Sequence, residues 1–309
     1  MTRLTSVSTK PLANDWPDRS LQGGGPPAPD NPRLTLGIRL RMAVRLAQGV
    51  LAVMLGVLLC AGVFPLVSHR RRYSLIRGWA RLFVWSLGIR VAVQGAWPAT
   101  PGRYLLASNH ISWLDIFVIH SVHPVRFVSK SEVRQWPVAG FLAQQAGTLF
   151  LDRNRKRDTK DIGQEMLAAL EMGDAIGIFP EGTTSNGTVL LPFFSPLLQP
   201  AVACMAAVVP TGLRYEDPRT GERNLDMPFV GQQNFLQSVL ITLRQPGLRA
   251  IVRFDAPIQS DGQHRRVLTQ QVEQAVSRLL AVPIALSGRE GGGQQPGSRP
   301  VNPPGGPEP

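Results

Sequence analysis

The sequence predicts an α/β protein: a mixed, mostly parallel sheet flanked by helices, preceded by an N-terminal hydrophobic helical membrane anchor. From about residue 91 onward, short apolar runs alternate with longer segments whose apolar residues recur at helical spacing. Such alternation is typical of a parallel or mixed sheet covered by helices. A long uncharged apolar run precedes this region. The chain has 309 residues, of which 43% are hydrophobic, and this suffices for one sizeable core.

Composition divides the chain into four segments. Residues 1–33 and 288–309 are rich in Pro, Gly and polar residues, which predicts a disordered leader and a disordered tail. Residues 34–90 are expected to form the membrane anchor helices. Residues 91–287 are expected to form the α/β domain.

Seven strands and four helices are expected within the α/β domain. The strands are expected at residues 91–93, 104–107, 126–129, 148–151, 175–179, 207–210 and 250–254. The helices are expected at residues 113–120, 137–146, 161–172 and 267–280.

The anchor prediction comes from residues 46–68, which carry no charge and are long enough to cross a bilayer as a helix. Arginines precede and follow this run, so its orientation is ambiguous. Residues 73–89 form an amphipathic pattern with two tryptophans, which indicates either an interfacial helix or a core helix. The two segments are therefore one span plus an interfacial helix, or a two-helix anchor in one leaflet.

Charge indicates a membrane surface as the partner. The net charge is +12 and the pI about 11.0, which suits nucleic acid, anionic lipid or phosphorylated ligands. Between Asp30 and Asp115 there is no acidic residue, and this window also holds the apolar run. Basic residues around an apolar run favour membrane lipid over a DNA groove, and no nucleic-acid motif is present. Cys60 and Cys204 form no metal motif and indicate no disulfide, so a reducing compartment is expected.

One polar loop has the spacing of a catalytic pair. An apolar strand ends before Ser108-Asn109-His110, and Ser112 stands where the cap of the next helix is expected. This places His110 at the carboxyl end of a strand and Asp115 in the first turns of a helix. A neutral imidazole can take a proton from a hydroxyl, and a carboxylate on its other nitrogen fixes its orientation. The alternative is a helix-capping histidine beside a surface aspartate.

Three further stretches end other expected strands. They are Gly147-Thr148-Leu149-Phe150-Leu151-Asp152-Arg153, Phe179-Pro180-Glu181-Gly182-Thr183-Thr184-Ser185 and Val208-Val209-Pro210-Thr211-Gly212, the last expected to end at its proline. Singly, each has an ordinary explanation as an ion pair, a solvated charge run or a turn. Together they place His110, Arg153, Glu181 and Thr211 at one edge of one sheet. That edge then combines a base, a phosphate-binding cation, a carboxylate and a wall.

These stretches resemble the motifs of a known family. Residues 109–115 resemble the first motif of the glycerolipid (lysophospholipid) acyltransferases, the family that includes 1-acyl-glycerol-3-phosphate acyltransferases. Residues 147–153, 179–182 and 209–210 resemble its second, third and fourth motifs, in the same order. The resemblance covers about residues 75–280.

The resemblance implies a role for each matched residue. His110 is the general base on the acceptor hydroxyl and Asp115 orients it. Arg153, Glu181, Gly182 and Thr183 bind the acceptor. The donor is an acyl thioester, carried on coenzyme A (acyl-CoA) or on acyl carrier protein and used as co-substrate. No metal and no other cofactor is expected. The hydroxyl attacks the thioester directly, and main-chain N–H groups near the third motif or the helix N-terminus are candidate oxyanion donors.

One residue departs from the pattern and leaves the acceptor open. Many members that acylate lysophosphatidic acid have Arg where this sequence has Thr184, and Thr cannot grip a phosphate in bidentate fashion. Members resembling lyso-ornithine-lipid acyltransferases carry F-P-E-G-T-T-S, as here. The expected acceptor is a lysolipid of the 1-acyl-glycerol-3-phosphate type, with lyso-ornithine lipid as the alternative, at the cytoplasmic face of the inner or plasma membrane.

Two rival functions belong to other classes. One is a non-catalytic membrane or lipid-binding protein that keeps the fold. The other is a thioester hydrolase using the same His and Asp, although the G-x-S-x-G motif of the usual hydrolases is missing from the sequence.

Overall fold

The computed structural model describes residues 35–100, 102–151, 156–231 and 233–285, with only the backbone described at 156–160. The expected leader at 1–33, the expected tail at 288–309 and Arg153 lie outside the described residues.

The domain is built on one seven-stranded sheet with the order β1-β7-β6-β2-β5-β3-β4. The central and one outer part, β6-β2-β5-β3-β4, are parallel, whereas β7 runs antiparallel to β6 and carries β1 parallel to itself. The predicted mixed, mostly parallel sheet is thus confirmed. The strands are β1 Ile89–Gln94, β2 Tyr104–Ser108, β3 Arg126–Lys130, β4 Leu149–Leu151, β5 Ile176–Ile178, β6 Ala207–Glu216 and β7 Leu248–Phe254.

Helices cover both faces of this sheet. They are α1 Leu36–Leu58, α2 His69–Ser86, α3 Asp115–Val122, α4 Ser131–Arg134, α5 Pro137–Gln145, α6 Lys156–Glu171, α7 Gln199–Ala203, α8 Phe235–Arg244 and α9 Arg265–Leu280. In β2, Leu105 packs into the core under α6 and α9, while Leu106 packs into the core under α2, α3 and α8. Both leucines are fully buried, as expected of a central parallel strand covered on both sides.

Strand β6 is longer than predicted. It was expected to end at Pro210 but continues to Glu216. The strand exchanges partners at this point: it pairs with β2 up to Thr211 and with β7 from Thr211 onward. Proline lacks only the amide hydrogen, and the Pro210 carbonyl still accepts the amide of Asp255 at 3.0 Å. The tail of β6 therefore rises past the carboxyl edge of its parallel neighbours.

Helix α3 begins later than predicted, at Asp115 instead of residue 113, and Ser112 is not its cap. The Ser112 main-chain amide instead donates to the Asp115 side chain at 2.9 Å. Three helices were not predicted: α4, α7 and α8.

The apolar N-terminal segment forms a helix that starts earlier than residue 46. Helix α1 continues into one π turn at Leu59–Val63 and a 3-10 turn at Phe64–Leu66, which contains Pro65. Within the described residues, Leu36–Leu66 has 31 residues and contains an 18-residue window with a mean hydropathy of 2.4, so it is long and apolar enough to cross a membrane.

Helix α1 is tied to the domain along its length. Arg41 and Arg45 donate to the carbonyls of Arg244 (3.0 Å) and Gln245 (2.5 Å) at the C-terminal end of α8. Midway along α1, the Trp79 indole of α2 donates to the Ala52 carbonyl at 2.7 Å. The outward side of α1 stays exposed, as Leu51 (64%) and Leu58 (66%) show.

Helix α2 combines the two structures predicted for it. Ile76 and Phe83 are buried, as in a core helix, whereas Trp85 is 61% exposed on the other side. Phe83 also stacks on Trp79 with ring centroids 5.6 Å apart. The α1–α2 pair is therefore part of the folded body and keeps an apolar outer surface.

The close approach of α1 to α2 gives a first prediction. A Cβ at Gly56 would lie 2.7 Å from the Trp79 ring, whereas a Cβ at Gly78 of α2 meets nothing within 4 Å. We expect Gly56→Ala to displace Trp79 and to lower stability by about 1–3 kcal/mol. Gly78→Ala, the matched control, should be neutral or stabilising because alanine favours helix. Thermal unfolding of both variants in one detergent measures this, and equal melting temperatures would contradict it.

Candidate active site

The predicted base and its carboxylate meet in the loop between β2 and α3. His110 Nδ1 lies 2.8 Å from Asp115 Oδ2. This loop leaves the sheet at the carboxyl end of β2, between neighbours β5 and β6. Strands β3, β4 and β5 lie on one side of β2, and β6 lies on the other. The loop therefore lies at a topological switch point of the sheet, where open α/β sheets bind ligands.

Asp115 is held by four donors and is fully buried. Besides His110, its Oδ2 accepts the main-chain amides of Ile111 (2.6 Å) and Ser112 (2.9 Å). Its Oδ1 accepts the hydroxyl of Tyr215 at 2.8 Å. A carboxylate at the first residue of a helix is also favoured by the helix dipole. These bonds leave Asp115 one orientation, and His110 takes its orientation from Asp115.

Tyr215 is a site residue that sequence analysis missed. It lies on the part of β6 beyond Pro210 and is 1% exposed. Burial, followed by the charge of Asp115, raises the pKa of Tyr215 well above 10, so its hydroxyl remains a donor. The signal that could have revealed it is the alternation of Leu213 and Tyr215 after Pro210, because a buried tyrosine hydroxyl needs a partner.

Asn109 fixes the loop to the sheet. Its side-chain amide donates to the Leu213 carbonyl at 2.9 Å, and its side-chain oxygen accepts the Leu213 amide at 2.8 Å. The asparagine therefore acts as a short extra strand against β6 and holds the residue before His110. Asn109 was recognised within the first motif, but this role was not predicted.

The imidazole of His110 has one nitrogen left for chemistry. Asp115 occupies Nδ1, and the ring lies flat on Phe179 with centroids 4.0 Å apart and planes 11° apart. The side chain is 19% exposed, so it reaches the surface of the site. With Nδ1 bonded to a carboxylate, Nε2 is the nitrogen that can accept a proton from a substrate.

Glu181 supports the same loop from the next strand. Its two carboxyl oxygens accept the amides of His110 (2.7 Å) and Leu191 (3.0 Å), and it is 1% exposed. Burial raises the pKa of Glu181 to about 8, although these hydrogen bonds work in the opposite direction. The structure thus gives Glu181 a positioning contact behind the histidine, whereas the predicted contact with an acceptor stays a prediction.

The rest of the third motif wraps around the histidine loop. Gly182 has a φ of +71°, and its amide donates to the Phe179 carbonyl at 3.0 Å, which closes the turn after β5. Thr183 follows in this turn and is partly exposed. The Ser185 amide donates to the His110 carbonyl at 2.8 Å. The Thr184 hydroxyl donates to the Phe229 carbonyl.

Two expected features differ in the structure. Thr211 lies level with Ser108 in the sheet, but it is fully buried and its hydroxyl donates to the Val209 carbonyl at 3.2 Å, so it is not an exposed wall. The amides of Ile111 and Ser112 beside the helix N-terminus bind Asp115, so they are not oxyanion donors. Among the described residues, no group of three His, Cys, Asp or Glu side chains could hold a metal ion.

With this geometry in place, comparison with known proteins identifies the family. The acyltransferase family profile matches residues 90–214. The sequence is 36% identical over 252 residues to the lyso-ornithine lipid O-acyltransferase of Pseudomonas aeruginosa, which covers 78% of this chain and 94% of that protein. The chain belongs to the acyltransferase family.

Other acyltransferases agree with this assignment. The 1-acyl-sn-glycerol-3-phosphate acyltransferase of Neisseria gonorrhoeae is 40% identical over 156 residues, which is 50% of this chain and 60% of that protein. The crystal structure of the 1-acyl-sn-glycerophosphate acyltransferase of Thermotoga maritima has the same fold, with a TM-score of 0.62 at 19% identity, over 80% of this chain and 95% of that chain. The predicted family and enzyme class are confirmed: the protein is a 1-acyl-sn-glycerol-3-phosphate acyltransferase-like enzyme.

The contacts of Asp115 give a second prediction. Asp115→Asn keeps the shape but removes the charge that orients His110 and stabilises its protonated form. We expect acyl transfer to fall by about 10²–10⁴-fold with little change in the folded structure. Steady-state kinetics beside circular dichroism measures this. Asp261→Asn, at an exposed turn, is the matched control; activity in Asp115→Asn equal to the control would refute the orienting role.

The burial of Glu181 gives a third prediction, on pH. Its folded pKa of about 8 exceeds the ordinary 4.5, so between these values the folded state holds a proton that the unfolded state has released. Stability should therefore fall as pH rises from about 5 to about 8, by up to about 1.4 kcal/mol per pH unit from this group. Denaturant unfolding at several pH values measures it. Glu181→Gln should lose that part of the slope, and parallel curves for both proteins would contradict the prediction.

Proposed function

We propose that the protein is a membrane-attached O-acyltransferase that moves a fatty acyl group from an acyl thioester to the free hydroxyl of a lysolipid. The observation that carries this proposal is the pairing of His110 Nδ1 with the buried Asp115, which presents Nε2 as a base. A protein that only binds lipid needs no oriented base, so the pair supports catalysis over the rival binding role.

The proposed reaction has one bond formed and one broken at the thioester carbonyl. His110 Nε2 takes the proton of the acceptor hydroxyl as its oxygen attacks the carbonyl carbon. The tetrahedral intermediate then collapses, the C–S bond breaks, and the imidazolium returns the proton to the departing thiolate. Asp115 stabilises the imidazolium between these steps. The acyl group passes directly to the acceptor, without an acyl-enzyme.

Acceptor binding is assigned to the residues around the third motif. Gly182 closes the turn after β5, Thr183 is partly exposed in the same turn, and the Ser185 amide that follows binds the His110 carbonyl. Arg153 supplies the cation, and Glu181 acts with them through the loop that it holds. The donor is acyl-CoA or acyl carrier protein, and the net charge of +12 suits either anionic donor.

Two acceptors are proposed, and one observation separates them. The 1-acylglycerol-3-phosphate type has the support of the Neisseria gonorrhoeae relative. At the position after Thr183, however, the hydroxyl of Thr184 binds the Phe229 carbonyl, so this position supplies no cation to a phosphomonoester. That favours lyso-ornithine lipid, the acceptor named for the Pseudomonas aeruginosa relative.

Membrane attachment is proposed through α1 and α2. Helix α1 is bonded to α8 near its start, and Phe64 beyond its end packs with Phe141 and Leu142 of α5. A helix tied to the domain at both ends favours the two-helix anchor in one leaflet over a free span. The domain then lies at the cytoplasmic face, where acyl thioesters are made, with arginines against anionic lipid.

Acyl transfer by the purified protein tests the proposal. Wild type, His110→Ala and the exposed-histidine control His264→Ala are compared with acyl-CoA and acyl carrier protein as donors. Lysophosphatidic acid and lyso-ornithine lipid are offered as acceptors. We expect transfer, with lyso-ornithine lipid preferred, and a loss of at least about 10²-fold in His110→Ala only. Thioester hydrolysis without transfer, or equal rates in His110→Ala and the control, would overturn the proposal.

A further inference from the structure

An exposed apolar surface lies beside the active site, on an element that sequence analysis did not predict. Helix α8 exposes Leu236 (65%), Leu240 (41%) and Phe235 (41%). Next to it, at the start of α5, Trp136 (44%) and Val138 (45%) are exposed. We call these five residues the α8 patch.

Ring contacts make the α8 patch one surface. The Phe235 ring centroid lies 5.6 Å from that of Trp136. The N-terminal end of helix α8 is fixed by a capping box, in which the side chains of Asn234 and Gln237 each accept a hydrogen bond from the other's main-chain amide. On the α5 side, Gly140 packs against the carbonyls of Arg134 and Val133, which seats Trp136 in a tight turn. The exposed side chains therefore belong to rigid elements.

The α8 patch is joined to the catalytic loop by one side chain. Trp113 lies between His110 and Asp115 in sequence. Its ring centroid is 5.1 Å from that of Phe235, and its indole donates to the Ser238 hydroxyl at 3.0 Å. An apolar path thus leads from the exposed face of α8 along Trp113 to the loop that holds the base.

The α8 patch is also continuous with α1, the helix apolar enough to cross a membrane. Arg41 and Arg45 of α1 bind the C-terminal carbonyls of α8. The segment after α1 packs against α5 through Phe64 and Phe141. Helix α1 therefore borders both elements that carry the patch, and its own outer side is lined by exposed apolar residues.

Charge and residue type match a lipid surface. Residues 133–151 and 227–254 contain no Asp or Glu, although they contain exposed Arg134 and also Arg244. Exposed Glu132 and Asp226 lie just before these stretches, so the absence of acidic residues holds for the patch itself, which meets an anionic bilayer without repulsion. Trp and Phe are the side chains that sit well at the boundary between headgroups and acyl chains.

We infer that the α8 patch is a second membrane-contacting surface, which sits in the bilayer interface beside the anchor helices. Its occupant is the lipid bilayer, and a lysolipid reaches His110 along α8 and Trp113 without leaving it. The membrane contact is independent of the chemistry, whereas the lysolipid route rests on the proposed function.

Site-specific fluorescence tests the contact without any activity assay. Single cysteines at Leu236 and Leu240, in full-length protein with Cys60 and Cys204 replaced by alanine, carry an environment-sensitive dye. Matched labels replace Met205 (61% exposed), after α7, and Val267 (48%), on α9, beyond the opposite face of the sheet. In phosphatidylglycerol vesicles, spin-labelled lipid should quench the dyes at 236 and 240 and spare those at 205 and 267. Equal quenching at all four positions would overturn the inference, and so would an apolar emission at 236 without quenching, which indicates a second protein copy.

Activity of a charged variant tests the route. Leu236→Glu/Leu240→Glu should lower transfer to a long-chain lysolipid in vesicles by at least 10-fold, while transfer to a short-chain, water-soluble lysolipid changes less than about 3-fold. Met205→Glu/Val267→Glu should alter neither. Equal losses with both substrates would indicate damage to the fold and overturn the route. Wild type without transfer to any acceptor would overturn the proposed function but leave the quenching result standing.

Discussion

The buried carboxylate of Asp115 is the constraint on which the site depends. A carboxylate without water is costly unless donors surround it, and four groups supply them here: the His110 ring, two amides of its loop, and the Tyr215 hydroxyl. Three of these donors lie in the loop after β2 and the fourth lies on β6, so the bonds that satisfy the carboxylate also fix the loop and the tail of β6 relative to the start of α3. The same residue thus organises the fold locally and orients the ring of His110, the proposed base.

A second buried acid, Glu181, accepts hydrogen bonds from main-chain amides, including that of His110. Glu181, which follows β5, accepts the main-chain amide of His110, whereas Asp115, at the start of α3, bonds the imidazole ring. The proximity of Asp115 adds to burial in raising the pKa of Glu181 to about 8. The backbone and the ring of one histidine are therefore fixed by two carboxyl groups whose environments differ, and this restricts the direction in which Nε2 points.

The sequence predicts the seven strands and the pairing of His110 with Asp115 because these depend on local patterns. The patterns are apolar runs of strand length and a polar loop at the end of a strand. The prediction from sequence is wrong where contacts between residues distant in the chain determine the length of an element. Pro210 predicts a strand end because the change of partner from β2 to β7 is not visible in the sequence, and the tail of β6 that carries Tyr215 is therefore not predicted. Helix α8 was not predicted, although its sequence is amphipathic and begins with the capping box of Asn234 and Gln237. The placement of Thr211 depended on the same misjudged strand.

The bonds from Arg41 and Arg45 to the end of α8 have a consequence for substrate choice. They join the anchor to α8, the helix on which Trp113 of the catalytic loop packs, so under the proposed attachment the imidazole sits at one set height above the acyl chains. Acceptors whose hydroxyls lie at different heights along the membrane normal are then sorted by depth as well as by head-group charge. The hydroxyl of a lyso-ornithine lipid is on a fatty chain, whereas that of lysophosphatidic acid is on glycerol. The position of the anchor would therefore select acceptors by the depth of the hydroxyl in the membrane.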